Sequence, residues 1–358
     1  QKQSKSESVA SSDDECDFRR WASDHGMFLS PKVSVRPPHP DERGKGGVSA
    51  AESVAALEVL ARVPRSMVLS AVDAPSRAME AAGGADAFSW ASDLTAAALT
   101  ALHPSDDELS ASSSSDDDDD LEAKREWISS WIDGGWATSS SDLGPPETDW
   151  GPKCVTGTLM ATGSDNDHNV YAKFRFPCHP TVHRAGLGLA LLTGCDDGDA
   201  LDALVNRGRV YRSMRDALST LVTEPSEGRR GSLRERRAWD VADCLSRVSS
   251  RVTPVQFPER TAEGGGESSS SFAVVPLHER LGHCADDRGE NTRLVASDEG
   301  DGDGNGEVLL LLAARDIEAG EELTRDYRNA PRLDGDESRG ALRLLLQFGL
   351  PPKAWEVA

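Results

Sequence analysis

The chain has 358 residues, 37% of them hydrophobic and 5% aromatic, and its 39 Lys and Arg against 61 Asp and Glu leave a formal net charge of −22. The charge argues against a nucleic-acid partner, because phosphate contacts need a basic face, and it suits a basic protein partner. No apolar run approaches the roughly 18 residues of a membrane span, and the segment after Gln1 lacks the basic and apolar regions of a signal peptide.

The low apolar content predicts folded islands separated by solvated filler. Residues 1–16 are polar and are expected to be disordered. A short helix follows over Asp17–His25, ended by Gly26. Met27–Val35 reads as a strand, and Arg43–Ala50 (RGKGGVSA) as a glycine-rich turn. Val54–Val63 alternates weakly, and Pro64 sets off a second apolar run, Met67–Val72. Ser92–His103 is an Ala- and Leu-rich helix. Ser110–Asp120 (SASSSSDDDDD) reads as a mobile acidic loop. Leu121–Ile132 reads as a helix with Trp127 and Trp131 four apart on one face. Val210–Val222 and Arg234–Val248 carry helical patterns, and Gly264–Ser271 (GGGESSSS) is a further loop. Val274–Leu277 and Val308–Ala314 suit buried strands. Between them, Asp298–Glu307 has the composition of a calcium loop (Asp301, Asp303, Asn305). Its twelfth position, however, is Leu312 where such a loop needs Glu, so a solvated loop is expected. Leu342–Gln347 makes a last helical turn before Gly349. Strands, then helices, then strands favour the α+β class.

The six cysteines, Cys16, Cys154, Cys178, Cys195, Cys244 and Cys284, form no CxxC pair. Neither a structural zinc site nor a disulfide scaffold is expected, and no metal; scattered reduced thiols in an intracellular protein fit the pattern.

The strongest local signal is Ala314–Tyr327, ARDIEAGEELTRDY. An apolar strand ends in a polar turn at Glu318–Gly320, and GEEL leads to Asp326 and Tyr327, one of only three tyrosines. This stretch resembles the C-terminal signature of the SET domain, the fold of many protein-lysine methyltransferases. Upstream, Val275–Cys284 (VPLHERLGHC) resembles the family's Val-Pro-Leu strand and the Asn-His segment after it. Trp239–Arg247 (WDVADCLSR) resembles the helix ending in Ser-Arg. Arg43–Ala50 resembles the GxG turn, Val59–Leu69 the strand and Pro-Arg-Ser stretch after it, and Phe18, Trp21 and Gly26 the opening helix and turn. LLLQFGLP (Leu344–Pro351) resembles the closing segment.

The order resembles the branch typified by the Rubisco large-subunit lysine methyltransferase, which splits its SET domain with a helical insertion and lacks zinc-binding flanks. The resemblance implies a SET fold of small curved β-sheets with a knot-like C-terminal closure. Residues 17–92 and 251–330 would be its two parts, 93–250 the helical insertion, and 331–358 a helical stub in place of the branch's further helical domain.

The resemblance also implies an S-adenosylmethionine-dependent protein-lysine N-methyltransferase. Methyl transfer from a sulfonium to a neutral amine is an in-line displacement, so alignment and desolvation dominate, and a dry channel lowers the lysine pKa. Gly44, Lys45 and Gly46, with Gly47, would let backbone approach the cofactor. Arg247 would pair with the cofactor carboxylate through its planar guanidinium. Glu279, Gly282 and His283 complete the implied cofactor site. Tyr327 would contact the cofactor and act as the catalytic residue. Phe348 and Leu350 would line the lysine channel, where an aromatic face suits an amine. Without the resemblance, these residues have plainer uses: a tight turn, a solvent-facing Arg247, a structural His283, a core Tyr327 and helix-end packing by Phe348.

Four departures stand out. Gly282 replaces the family's Asn, Glu279 its Asp, and Arg328 and Leu350 replace a Gly and a second channel aromatic. They keep open a weakened or inactive SET-fold protein-binding module, and a protein-histidine methyltransferase is a variant of the leading reading. The expected partner is a basic protein substrate, with no nucleic acid and no membrane. The chain is expected to be monomeric and intracellular, with cytoplasm, nucleus and plastid all open.

Overall fold

A computed structural model of the chain describes residues 12–36, 47–70, 76–83, 89–105, 115–132, 189–191, 193–223, 232–257, 270–284, 289–297 and 307–348. Helix α1 (Ser12–Asp24) is followed by strands β1 (Phe28–Leu29), β2 (Val33–Arg36), β3 (Gly47–Ala50), β4 (Val59–Pro64) and β5 (Leu69–Ser70). Helices α2 (Ser76–Gly83), α3 (Ser89–Leu102), α4 (Ser115–Ile132), α5 (Asp197–Leu218) and α6 (Leu233–Arg251) come next. Strands β6 (Thr253–Gln256), β7 (Ser270–Val274), β8 (Gly282–His283), β9 (Thr292–Ser297), β10 (Val308–Ala313) and β11 (Thr324–Arg325) precede helix α7 (Gly340–Phe348). The α+β class is therefore observed.

The strands form small sheets that join early chain to late chain. One antiparallel sheet runs β1-β4-β10-β9, and another runs β5-β7-β6. β2 and β3 pair with each other, and β8 and β11 make a short parallel pair. Isolated bridges add Ser49 to Glu322 and Val54 to Ile317. In β10, Leu309, Leu311 and Ala313 are buried while Val308, Leu310 and Leu312 are half-buried, the alternation a pleated strand imposes. Helix α3 packs against α2, α4 and α6. Its buried alanines, Ala97, Ala98 and Ala101 among them, leave little bulk at these contacts, and interaxial distance follows side-chain size.

Several expectations are corrected. The acidic run Asp116–Asp120 belongs to the first turns of α4, not to a loop; carboxylates suit the positive end of a helix dipole. Helix α1 begins at Ser12, inside the segment expected to be disordered. Gly47–Ala50 is strand β3, and Ser270 and Ser271 belong to β7. Helix α5 begins well before Val210, because Asp196 caps it by accepting from the Gly198 amide at 2.7 Å. Residues 1–11, 43–46, 106–114, 264–269, 298–306 and 349–351, on which other expectations fell, lie outside the described residues. No described helix is long and apolar enough to cross a membrane.

Candidate functional site

The site is built around the parallel pair β8–β11, in register as Gly282 with Thr324 and His283 with Arg325. Backbone bonds from Gly282 N to Leu323 O (3.3 Å) and from Cys284 N to Arg325 O (3.0 Å) hold the strands. The chain leaving β11 then delivers Tyr327 beside His283. The Tyr327 amide donates to His283 Nδ1 at 3.3 Å, and the two rings stack with centroids 5.1 Å apart. The Tyr327 hydroxyl donates to the carbonyl of buried Leu281 at 2.8 Å. Phe348, at the end of α7, brings its ring to 4.4 Å from that of Tyr327, and the Arg325 guanidinium lies 4.8 Å from the Tyr327 ring centre. Three segments far apart in sequence thus converge on one tyrosine.

Polar contacts place each of them. Arg325 donates to the Val252 and Ser250 carbonyls where α6 ends, a position that suits a cation. Gln347, fully buried on α7, donates to the Ser249 carbonyl (2.9 Å) and to the Pro331 carbonyl (3.0 Å). Arg343 donates to the Arg328 and Ala330 carbonyls. A fully buried ion pair, Arg207 with Asp336, ties α5 to the segment leading into α7, and Arg207 also donates to the Tyr211 hydroxyl. Phe348 is therefore held by α5, α6 and the 330s segment together.

Charge gathers near the tyrosine. Arg251 interacts electrostatically with Arg247, Glu279, Arg280 and Tyr327, and burial, then the Arg247 charge, pushes it down to about 9. Arg325 interacts with Tyr327 and Glu279. Glu279 is buried, and its Oε1 accepts from the Trp127 indole at 2.9 Å and lies 3.4 Å from Arg280 Nε. Burial lowers His283, and it holds His278 well below the ordinary histidine range, with Arg325 adding to the effect there.

Of the residues expected from sequence, the structure brings His283, Tyr327 and Phe348 together and lets Glu279 and Tyr327 share Arg251 and Arg325 as electrostatic partners. Arg247 is buried on α6 beside this group, not facing solvent. Gly282 pairs with β11. A Cβ built on it would lie 2.2 Å from Glu322 Oε1, so that carboxylate fills the place of the absent side chain. Gly44, Lys45, Gly46 and Leu350 lie outside the described residues. Gly47 is described, and its Cβ position is 3.3 Å from the same Glu322 oxygen. Arg328 bonds its neighbour Asp326 through Nε at 2.8 and 3.0 Å.

His283, Cys284 and Asp326 could together hold a metal ion, their ligand atoms lying within 4.8 Å of one another. The Arg328 guanidinium already engages Asp326, and also Cys284, so a cation is in place there. Cys195, Cys244 and Cys284 are free thiols, and burial pushes Cys244 up to about 12. The sequence reading placed Trp127 only on a helix face and gave Arg325 and Gln347 no role at the site; a buried Gln in an apolar helix was the one visible signal.

No family model matches the chain, and no curated protein matches it. Among solved structures, it is similar to the SET domain of LSMT bound to methyllysine and AdoHcy, at 13% identity and a TM-score of 0.48, over 94% of this chain and 56% of that one. It is also similar to the SET domain of LSMT bound to lysine and AdoHcy (13%, TM-score 0.43, 96% and 58%). A third is Rubisco LSMT bound to AdoMet (13%, TM-score 0.44, 94% and 56%). The chain thus spans less than two thirds of the length of these structures. The likeness is remote, and the chemistry has to be read from the site's own residues.

Proposed function

We propose that the chain is an S-adenosylmethionine-dependent protein-lysine methyltransferase of the SET type. The observation that carries this reading is the meeting of His283 and Phe348, each from a separate motif, on the ring of Tyr327, whose hydroxyl is fixed on Leu281 O. The cofactor would supply an electrophilic methyl group. Its carboxylate would be held by guanidiniums drawn from Arg247, Arg251, Arg280 and Arg325. Buried Glu279 Oε2 and His278 Nδ1 have no hydrogen-bond partner among the described residues, which fits a site completed by a polar ligand.

The Tyr327 hydroxyl donates its hydrogen bond to Leu281 O and shares a side-chain hydrogen bond with Arg325, so the remaining lone pair of its oxygen is what it can turn toward positive charge. The Tyr327 and Phe348 rings offer apolar faces that exclude water and favour an amine by cation–π attraction. A lysine amine held there, neutral once its proton has passed to water, would be aligned to take the methyl group that the cofactor supplies.

In this reading, residues 17–92 and 251–330 make one domain split by the helices of 93–250, supported by the pairing of β4 with β10 and of β5 with β7. The knot-like closure belongs to the same proposal, as do a basic protein substrate, a monomeric state and an intracellular site of action. Gly282, with Glu322 filling its side-chain space, favours a second reading: a SET-fold module that binds protein with a weakened cofactor site. Calorimetric titration with S-adenosylmethionine separates the two. Micromolar binding abolished by Arg247→Ala supports the enzyme; no binding by verifiably folded protein sinks it.

A further inference from the structure

We propose that Trp127 is a positioning residue: its indole N–H fixes the Glu279 carboxylate so that the second oxygen receives the ammonium group of an amino-acid-type ligand. This rests on the cofactor reading above and deepens it.

The geometry begins with two buried groups from distant parts of the chain. Trp127, on α4, has no exposed surface, and Glu279, in the short 3-10 turn His278–Arg280 just before β8, is 7% exposed. The indole Nε1–H is a lone donor, and it is spent on Glu279 Oε1 at 2.9 Å. Arg280 Nε approaches the same oxygen at 3.4 Å. The other oxygen, Oε2, is buried with no hydrogen-bond partner among the described residues. A buried carboxylate oxygen left so is costly, and native structures leave few such groups without a ligand or ordered water.

The surroundings define what Oε2 can take. Arg251, Arg280 and Arg325 all interact with Glu279, so the neighbourhood is rich in guanidinium and offers a carboxylate its own partners. A ligand presenting a carboxylate to the arginines and a cation to Glu279 is zwitterionic, the chemistry of an α-amino-acid head. Glutamate has one more rotatable bond than aspartate, and an extra fixed donor limits the rotamers it can sample. Trp127 supplies that donor from the helical segment, which couples α4 to ligand recognition.

The test uses calorimetry with two ligands: S-adenosylhomocysteine and its deaminated analogue, which keeps the carboxylate and the thioether. The wild-type chain should prefer the amino ligand by roughly tenfold or more, the worth of a buried charged hydrogen bond. Trp127→Phe keeps the ring and loses the N–H; Glu279→Gln keeps the shape and loses the charge. Each should erase most of that preference while changing affinity for the deaminated ligand little. A Trp127→Phe protein that weakens both ligands alike, or that keeps the preference, overturns the proposal and makes Trp127 a packing residue. Loss of preference in Glu279→Gln alone does the same for Trp127. If folded wild-type protein binds neither ligand, the cofactor reading itself fails, and this inference with it.

Discussion

Replacing Tyr327 by Phe removes one oxygen and leaves the ring. The 4.4 Å contact with Phe348 and the 5.1 Å stack on His283 are kept. What goes is the 2.8 Å bond to the carbonyl of Leu281, a residue with no exposed surface. The buried carbonyl then has no donor in Tyr327's place, which costs about 1–2 kcal/mol, more than the net worth of an average exchanged hydrogen bond. Urea unfolding followed by circular dichroism should show a lower midpoint with an unchanged slope, since the surface exposed on unfolding is the same. In single-turnover methyl transfer, losing an acceptor that meets positive charge costs about 1.5–3 kcal/mol, or roughly 10- to 150-fold in rate. Cofactor affinity should change far less than that rate. A variant with both wild-type stability and wild-type transfer rate would refute this account of the hydroxyl.

The remaining expectations concern the scaffold and its protonation. Asp336→Ala strands the fully buried Arg207 guanidinium and should destabilise by about 3–5 kcal/mol in urea, whereas the double change Arg207→Met, Asp336→Leu should recover most of that loss. His278 is held well below its ordinary 6.5 by burial first and Arg325 second. The unfolded chain therefore takes up a proton below about pH 6.5 that the folded chain refuses, so stability should fall on acidification by up to about 1.4 kcal/mol per pH unit. His278→Gln should flatten that slope between pH 6.5 and 5, read by urea midpoints across pH, and an unchanged slope counts against the assignment. Gly282→Asn should fold, with the Glu322 carboxylate, the far end of a flexible side chain, moving aside. Its cost should stay near 1 kcal/mol or below in the same assay.

The sequence was most readable where chemistry and order coincide. His283, Tyr327 and Phe348 stand in motifs whose order is visible along the chain, and the fold brings them together. Helices α3 and α6 were readable from their patterns, α4 and α5 only in their later turns, and the α+β class from the order of strands and helices. The β8–β11 pair was not, because two-residue strands carry no alternation. Nor was the Trp127–Glu279 bond, which joins residues 152 positions apart and leaves no periodic trace. The acidic run misled for a physical reason: Asp116–Asp120 looks like solvated filler by composition, yet carboxylates at a helix start are favourable. Arg247 read alone as a surface charge, and packing places it inside.

The central claim is that the tyrosine-centred site transfers a methyl group to lysine. The most direct test incubates the chain with S-adenosylmethionine and basic candidate proteins, then locates added methyl groups by mass spectrometry. Methylation on a lysine side chain, slowed in Tyr327→Phe and lost in Arg247→Ala, is the predicted result. Methylation confined to another residue type, or none from a folded chain that binds the cofactor, would contradict it.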